Sequence, residues 1–149
     1  MVLELKNISK NYGDRKILEI DDLKIYENEK RGIVGQNGSG KTTLLNIIAG
    51  RIQPDTGKII RKQNIIYMEQ FEEINYENRN LSGGEKKKEA FHKKVLDKNG
   101  ILLLDEPTSN LDKNGITHIE KELKKYQGTI LIISHDRSLL DEICTAIIE

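Results

Sequence analysis

The sequence predicts an α/β domain, a mainly parallel sheet flanked by helices with an antiparallel β part at its N-terminal end. Two continuous apolar runs of strand length, Ile101-Leu102-Leu103-Leu104 and Thr129-Ile130-Leu131-Ile132-Ile133, have the pattern of strands covered on both faces. Between them Ile116, Ile119 and Leu123 recur at helical spacing among charges, which makes a crossover unit, right-handed by the general rule. Further upstream a short apolar strand runs into a glycine-rich loop and then a helix.

Taken in order, residues 2–8 and 16–29 alternate apolar and polar side chains around a polar break at Asn11-Tyr12-Gly13-Asp14, which predicts antiparallel strands. Gly32-Ile33-Val34 is a short strand, and residues 43–49 have helical composition up to Gly50. Pro54-Asp55-Thr56-Gly57 reads as a turn, with short strands at 58–60 and 65–68 after it. Residues 71–80, FEEINYENRN, have no periodicity and read as loop. A helix is predicted from Leu81, with Ala90, Phe91 and Val95 on its apolar face. A last short helix at 139–143 leads into a strand-like Thr145-Ala146-Ile147-Ile148.

A length of 149 residues suits one compact domain. Lysine plus arginine and aspartate plus glutamate balance at 24 each, so no global field argues for nucleic acid or an anionic membrane, and any such contact has to be a local patch. The single cysteine, Cys144, excludes an intrachain disulfide and a cysteine-based zinc site; it reads as a small buried apolar residue following Leu139, Leu140 and Ile143. No apolar run approaches the ~20 residues that span a bilayer, and no leader pattern opens the sequence, so the expectation is a soluble, cytoplasmic protein.

Gly35-Gln36-Asn37-Gly38-Ser39-Gly40-Lys41-Thr42 fulfils G-x-x-x-x-G-K-[ST] between a predicted strand and a predicted helix, the context that lifts this motif above chance. Its glycines let backbone N–H groups converge on phosphate oxygens, and the following helix points its positive end at them. In such a loop Lys41 reaches the β- and γ-phosphates and Thr42 holds Mg²⁺. Asp105-Glu106 closes the apolar run, at the strand end where open α/β sheets present ligands. Asp105 is a candidate Mg²⁺ ligand, directly or through water, and Glu106 a candidate general base. Ser134-His135-Asp136 repeats that placement one strand along, and His135 is expected to face the same crevice as Asp105 and Lys41. His92 and His118, on predicted helices among charges, are expected to be solvated. Ser82-Gly83-Gly84 heads a predicted helix whose first N–H groups lack partners, a second anion site. Two phosphate-binding ends with one such lysine suggest that the second serves a nucleotide held by another domain. Lys86-Lys87-Lys88 reads as a solvated helix face or, alternatively, as a contact for RNA phosphates.

With these residues the chain resembles ATP-binding cassette (ABC) domains, which are P-loop NTPases. Residues 35–42 look like a Walker A, Asp105-Glu106 like a Walker B with its glutamate, Leu81-Ser82-Gly83-Gly84-Glu85 like the ABC signature, Ser109-Asn110-Leu111-Asp112 like a D-loop and His135 like the H-loop switch. Gln70 resembles the Q-loop glutamine, and Tyr12 the aromatic that stacks on adenine. The resemblance runs in the family's order over nearly the whole chain. It implies ATP and Mg²⁺ as cofactors, and a single cassette over residues 1–149, cut short at its C-terminal end because the pattern stops in mid-strand. It also implies head-to-tail pairing with a second cassette, in the same parent chain or as a homodimer. On that basis Glu106, His135 and Gln70 are the expected catalytic residues. Tyr12, Gly35, Asn37, Gly38, Ser39, Gly40, Lys41, Thr42, Thr43, Ser82, Gly83, Gly84 and Asp112 are the expected nucleotide contacts, and Thr42, Gln70 and Asp105 the expected metal ligands.

Only ten residues separate Gln70 from Leu81, where transporter cassettes place a helical subdomain that receives the membrane partner. That subdomain is expected to be largely absent. The short stretch from Lys41 to Gln70, and Ser134-His135-Asp136-Arg137-Ser138-Leu139-Leu140-Asp141, resemble the soluble ABC-F branch. Its members carry two cassettes, bind the ribosome and act on translation, and a resistance subgroup displaces antibiotics from it. Ser109-Asn110 departs from the Asn-His often found in that branch. The implied function is the amino-terminal ATPase cassette of an ABC-F translation or ribosome-protection factor. The alternatives are an ATPase subunit of a membrane transporter, with a membrane partner, and a regulatory nucleotide-binding module without turnover.

Overall fold

A computed structural model of the protein describes residues 1–68 and 100–149. The predicted loop at 71–80, the helix from Leu81, the proposed subdomain loss, Gln70, Ser82, Gly83, Gly84, the lysine run and His92 all lie outside the described residues.

Strands β3 (Lys30–Ile33), β5 (Ile65–Met68), β6 (Ile101–Asp105), β7 (Thr129–Ile133) and β8 (Ala146–Ile148) form a parallel sheet in the order β5-β6-β7-β3-β8. Strands β1 (Leu3–Tyr12), β2 (Arg15–Ile25) and β4 (Thr56–Arg61) form an antiparallel sheet in the order β2-β1-β4. Every residue of β6 and β7 is buried, which is why their sequences are apolar without alternation. Their side chains divide between two cores. Ile101, Leu103, Leu131 and Ile133 meet Leu3, Leu5 and Ile25 of the antiparallel sheet and Leu44, Leu45 and Ile48 of helix α1 (Lys41–Ala49). Leu102, Leu104, Ile130 and Ile132 meet Ile119 and Leu123 of α2 (Lys113–Lys125), with Leu139, Leu140 and Ile143 of α3 (Arg137–Ile143). Truncating any one of these leucines to alanine should cost ~2–5 kcal/mol, because a well-packed interior closes only partly over the hole.

Four helix ends are satisfied by side chains. Asp112 caps α2 by accepting from the Gly115 N–H at 2.7 Å, and Asp136 caps α3 by accepting from the Leu139 N–H at 3.1 Å. Lys30 donates to the Leu123 and Lys124 carbonyls at the end of α2, and Arg61 donates to those of Ile47 and Ile48 at the end of α1.

Several details differ from the sequence reading: β1 runs through Asn11 and Tyr12, so the break between β1 and β2 is only Gly13-Asp14, and β3 ends before Val34. β4 begins at Thr56, so Thr56 and Gly57 belong to a strand; the Asp55 N–H bonds the Ser9 carbonyl at 2.8 Å and draws the segment onto β1. β2 stops at Ile25, where a turn closed by the Tyr26 N–H on the Glu29 carboxylate takes over. Cys144 is half-buried at the end of α3, against the second core. His118 is half-buried rather than solvated, since it flanks the packed Ile119. No helix among the described residues is long and apolar enough to cross a membrane.

Candidate functional site

The carboxyl ends of β3, β6 and β7 bring the glycine loop, Asp105-Glu106 and Ser134-His135 to one end of the parallel sheet. Between them and the β1–β2 hairpin lies a cleft of about 460 Å³. Tyr12, Asn37, Gly38, Gly40, Lys41, Thr42, Thr43, Asp105, Glu106 and His135 all line it. Gly35 lines a neighbouring cavity behind the loop, and the Ser39 N–H closes a turn on the Gln36 carbonyl. Asp112 is engaged as the cap of α2 and does not line the cleft.

The loop is shaped for anions. Gly38 and Gly40 adopt positive φ (80° and 92°), and a Cβ on Gly40 would stand 2.6 Å from the Ile17 carbonyl, so the loop lies directly on β2. α1 starts at Gly40 without a side-chain cap, which leaves first-turn N–H groups for phosphate oxygens. The Lys41 ammonium folds over the loop, donating to the Gly35 and Gln36 carbonyls.

The Thr42 hydroxyl donates to the Asp105 carboxylate at 2.8 Å, joining α1 to the end of β6. Asp105 is only 2% exposed. Burial, then the Asp105 charge, pushes the Tyr67 phenol up to about 12, against the opposing pull of Arg51, whose guanidinium lies 4.5 Å above the ring. A hydroxyl and a carboxylate meeting at the cleft wall are hard oxygen donors. They fit Mg²⁺, which takes one or two protein oxygens and completes its octahedron with phosphates and water.

Glu106 sits at φ 50°, a left-handed conformation uncommon for a residue with a side chain. Its N–H bonds the Ile133 carbonyl at 2.9 Å, and its own carbonyl accepts from the Ser109 N–H and hydroxyl. The twist carries the carboxylate to His135, whose backbone N–H is 3.4 Å from one oxygen and whose Nε2 is 3.3 Å from the other. Across the cleft Tyr12 is 52% exposed, with the Lys10 ammonium 5.4 Å from its ring centroid. Its hairpin is braced by Asp55, which accepts from the Asn11 N–H at 2.6 Å and from Lys10; these two contacts hold the carboxyl below its ordinary range.

Sequence reasoning missed three lining residues, Ile133 at the end of β7 and, on the hairpin, Arg15 and Ile17. The signal was present. Once Gly13-Asp14 is taken as a two-residue hairpin turn, Arg15 falls opposite Tyr12 and Ile17 follows on the same face.

Residues 18–77 match the family described as ABC transporter. The erythromycin resistance ATP-binding protein MsrA of Staphylococcus epidermidis is 36% identical, over 97% of this chain and 34% of that protein. The ribosome protection protein VmlR of Bacillus subtilis is 32% identical, over 98% of this chain and 30% of that protein. The chain therefore spans about a third of the length of these relatives. A solved complex of an archaeal ribosomal stalk protein with the archaeal ribosome recycling factor aABCE1 superposes with a TM-score of 0.86 at 27% identity, covering 97% of this chain and 36% of that one.

Proposed function

The chain is an ABC-F-like ATP-binding cassette, and from that premise we propose that it binds ATP and hydrolyses it in a composite site completed by a second cassette, within a cytoplasmic factor that acts on the ribosome. The observation that carries the reading is the Thr42–Asp105 contact of 2.8 Å, which ties the phosphate loop to the end of β6, immediately before Glu106. Thr42 and Asp105, with Gln70, are the residues that would hold Mg²⁺, and the ion would supply charge to the γ-phosphate.

The chain's own groups do the rest. Tyr12 stacks on the base. Loop amides from Gly35 to Thr43 bind phosphate oxygens, and Lys41 exchanges its two loop carbonyls for the β- and γ-phosphates. Glu106 accepts a proton from water as that oxygen bonds to the γ-phosphorus and the bond to the ADP oxygen breaks. His135 orients the Glu106 carboxylate through its two contacts. Ser82, Gly83 and Gly84 serve the nucleotide of the paired cassette. Because each site is composite, turnover should rise with protein concentration. The ribosomal reading is supported by the names of MsrA and VmlR, which record erythromycin resistance and ribosome protection.

The test is ribosome co-sedimentation of the full-length protein carrying Glu106→Gln, with ATP, with ADP and at raised salt. Salt-sensitive pelleting with ATP alone is expected. No pelleting in any condition, with ATP still bound, would turn the reading toward a transporter ATPase subunit.

A further inference from the structure

We propose that Arg15 is a nucleotide-binding residue of this cleft and that it takes the α-phosphate. The inference rests on the cleft being a nucleotide site. Tyr12 and Arg15 are direct partners in the antiparallel β1–β2 ladder, so their side chains stand on one face, and both line the cleft. The guanidinium reaches the phosphate loop, with a terminal nitrogen 3.8 Å from the point where Gly38 would carry a Cβ.

Among the described residues no hydrogen bond or ion pair holds Arg15, whereas the neighbouring hairpin cations are paired, Lys10 with Asp55 and Lys16 with Glu19. A planar guanidinium with no carboxylate bonded to it among the described residues, lining the same cleft as Lys41, is suited to phosphate oxygens. Position selects which phosphate. Tyr12 marks the base end of the cleft, and Asp105, Glu106 and His135 mark the end where the γ-phosphate reacts. Arg15 lies across from Tyr12 and over Gly38, between base and reacting group. A contact there is the same in ATP, in ADP and in the transition state, so it adds affinity without speeding the chemistry.

The test is calorimetric titration of the full chain with ATP, ADP and adenosine, in the parent, Arg15→Ala, Arg15→Lys and Lys41→Ala. Arg15→Ala should weaken ATP and ADP by the same factor, about tenfold, as expected for losing one charge-assisted hydrogen bond, and leave adenosine unchanged. Arg15→Lys should lose less. In hydrolysis KM should rise with kcat unchanged. Because Arg15 is exposed, its variants should unfold at the parent's urea midpoint. Unchanged ATP and ADP affinity, with Lys41→Ala still weakening ATP, would overturn the role of Arg15 and leave the cassette reading standing. Loss confined to ATP would move the contact to the γ-phosphate, and an equal loss of adenosine would move it to the base or sugar; either overturns the assignment. A parent chain that binds neither ATP nor ADP would overturn the nucleotide reading itself.

Discussion

Gly40→Ala tests how the phosphate loop is held. At φ 92° an L-residue pays ~1–2 kcal/mol for a left-handed conformation. The added Cβ would lie 2.6 Å from the Ile17 carbonyl, where ordinary contact begins at 3.4 Å, so loop and strand must part by the difference, 0.8 Å. The obstacle is main chain of β2, at the register shift where Ile17 has no partner in β1, and a backbone carbonyl has no side-chain torsion by which to turn aside. Overpacking of this kind adds ~1–3 kcal/mol, for a total of ~2–5 kcal/mol. With a denaturant slope of ~2 kcal/mol/M, the urea midpoint should fall by ~1–2.5 M. Gly38→Ala is the control: its φ is 80°, but the nearest atom is the flexible Arg15 terminus at 3.8 Å, so it should pay only the conformational cost of ~1–2 kcal/mol. The same displacement moves loop N–H groups away from phosphate, and a misplacement near 1 Å costs on the order of 10²-fold in rate. Urea denaturation and ATP titration of both variants read the outcome. Equal loss of stability in the two, or Gly40→Ala binding ATP like the parent, would refute the packing argument.

Glu106→Gln should bind ATP normally and slow single-turnover phosphate release by ~10²-fold or more, the size of a general-base contribution; release at the parent rate would remove Glu106 from that role. Burial pushes the Cys144 thiol from its ordinary 9.0 to about 11, against the opposing charge of Lys30. Alkylation at pH 8 should therefore run ~10²-fold slower than for a free thiol and keep climbing past pH 10, and a plateau near pH 9 would contradict the burial. Burial alone would raise the Glu29 carboxyl, but the Tyr26 N–H at 2.9 Å and Arg31 at 3.0 Å outweigh it and hold it below 4.5. Its contribution to stability is therefore present above about pH 4.5 and lost as pH falls through the lower folded value. Glu29→Gln should flatten the urea midpoint against pH in that acid range, and an unchanged slope would show that the pair adds nothing.

The sequence by itself determined the parallel sheet and the chemistry of its loops. Strands buried on both faces must be apolar throughout, so β6 and β7 appear as unbroken runs, and a phosphate loop needs its glycines and lysine at fixed spacing within one short segment. Tertiary structure decided the rest. Local pattern reports that a face is covered, but not by which neighbour. Nothing near Thr56 announces that β4 returns to β1, because that pairing joins residues 47 apart, Ser9 and Thr56. The sequence marks Glu106 as a candidate base, but its left-handed backbone, its bond to the Ile133 carbonyl and its contact with His135 are set by the fold. The order β6-β7-β3 sets the end of β7, just before His135, between the strands that lead to Asp105 and to the loop of Lys41, and the β1–β2 register sets Arg15 beside Tyr12. Strand order and register are fixed by long-range pairing, which the sequence of any one segment does not carry.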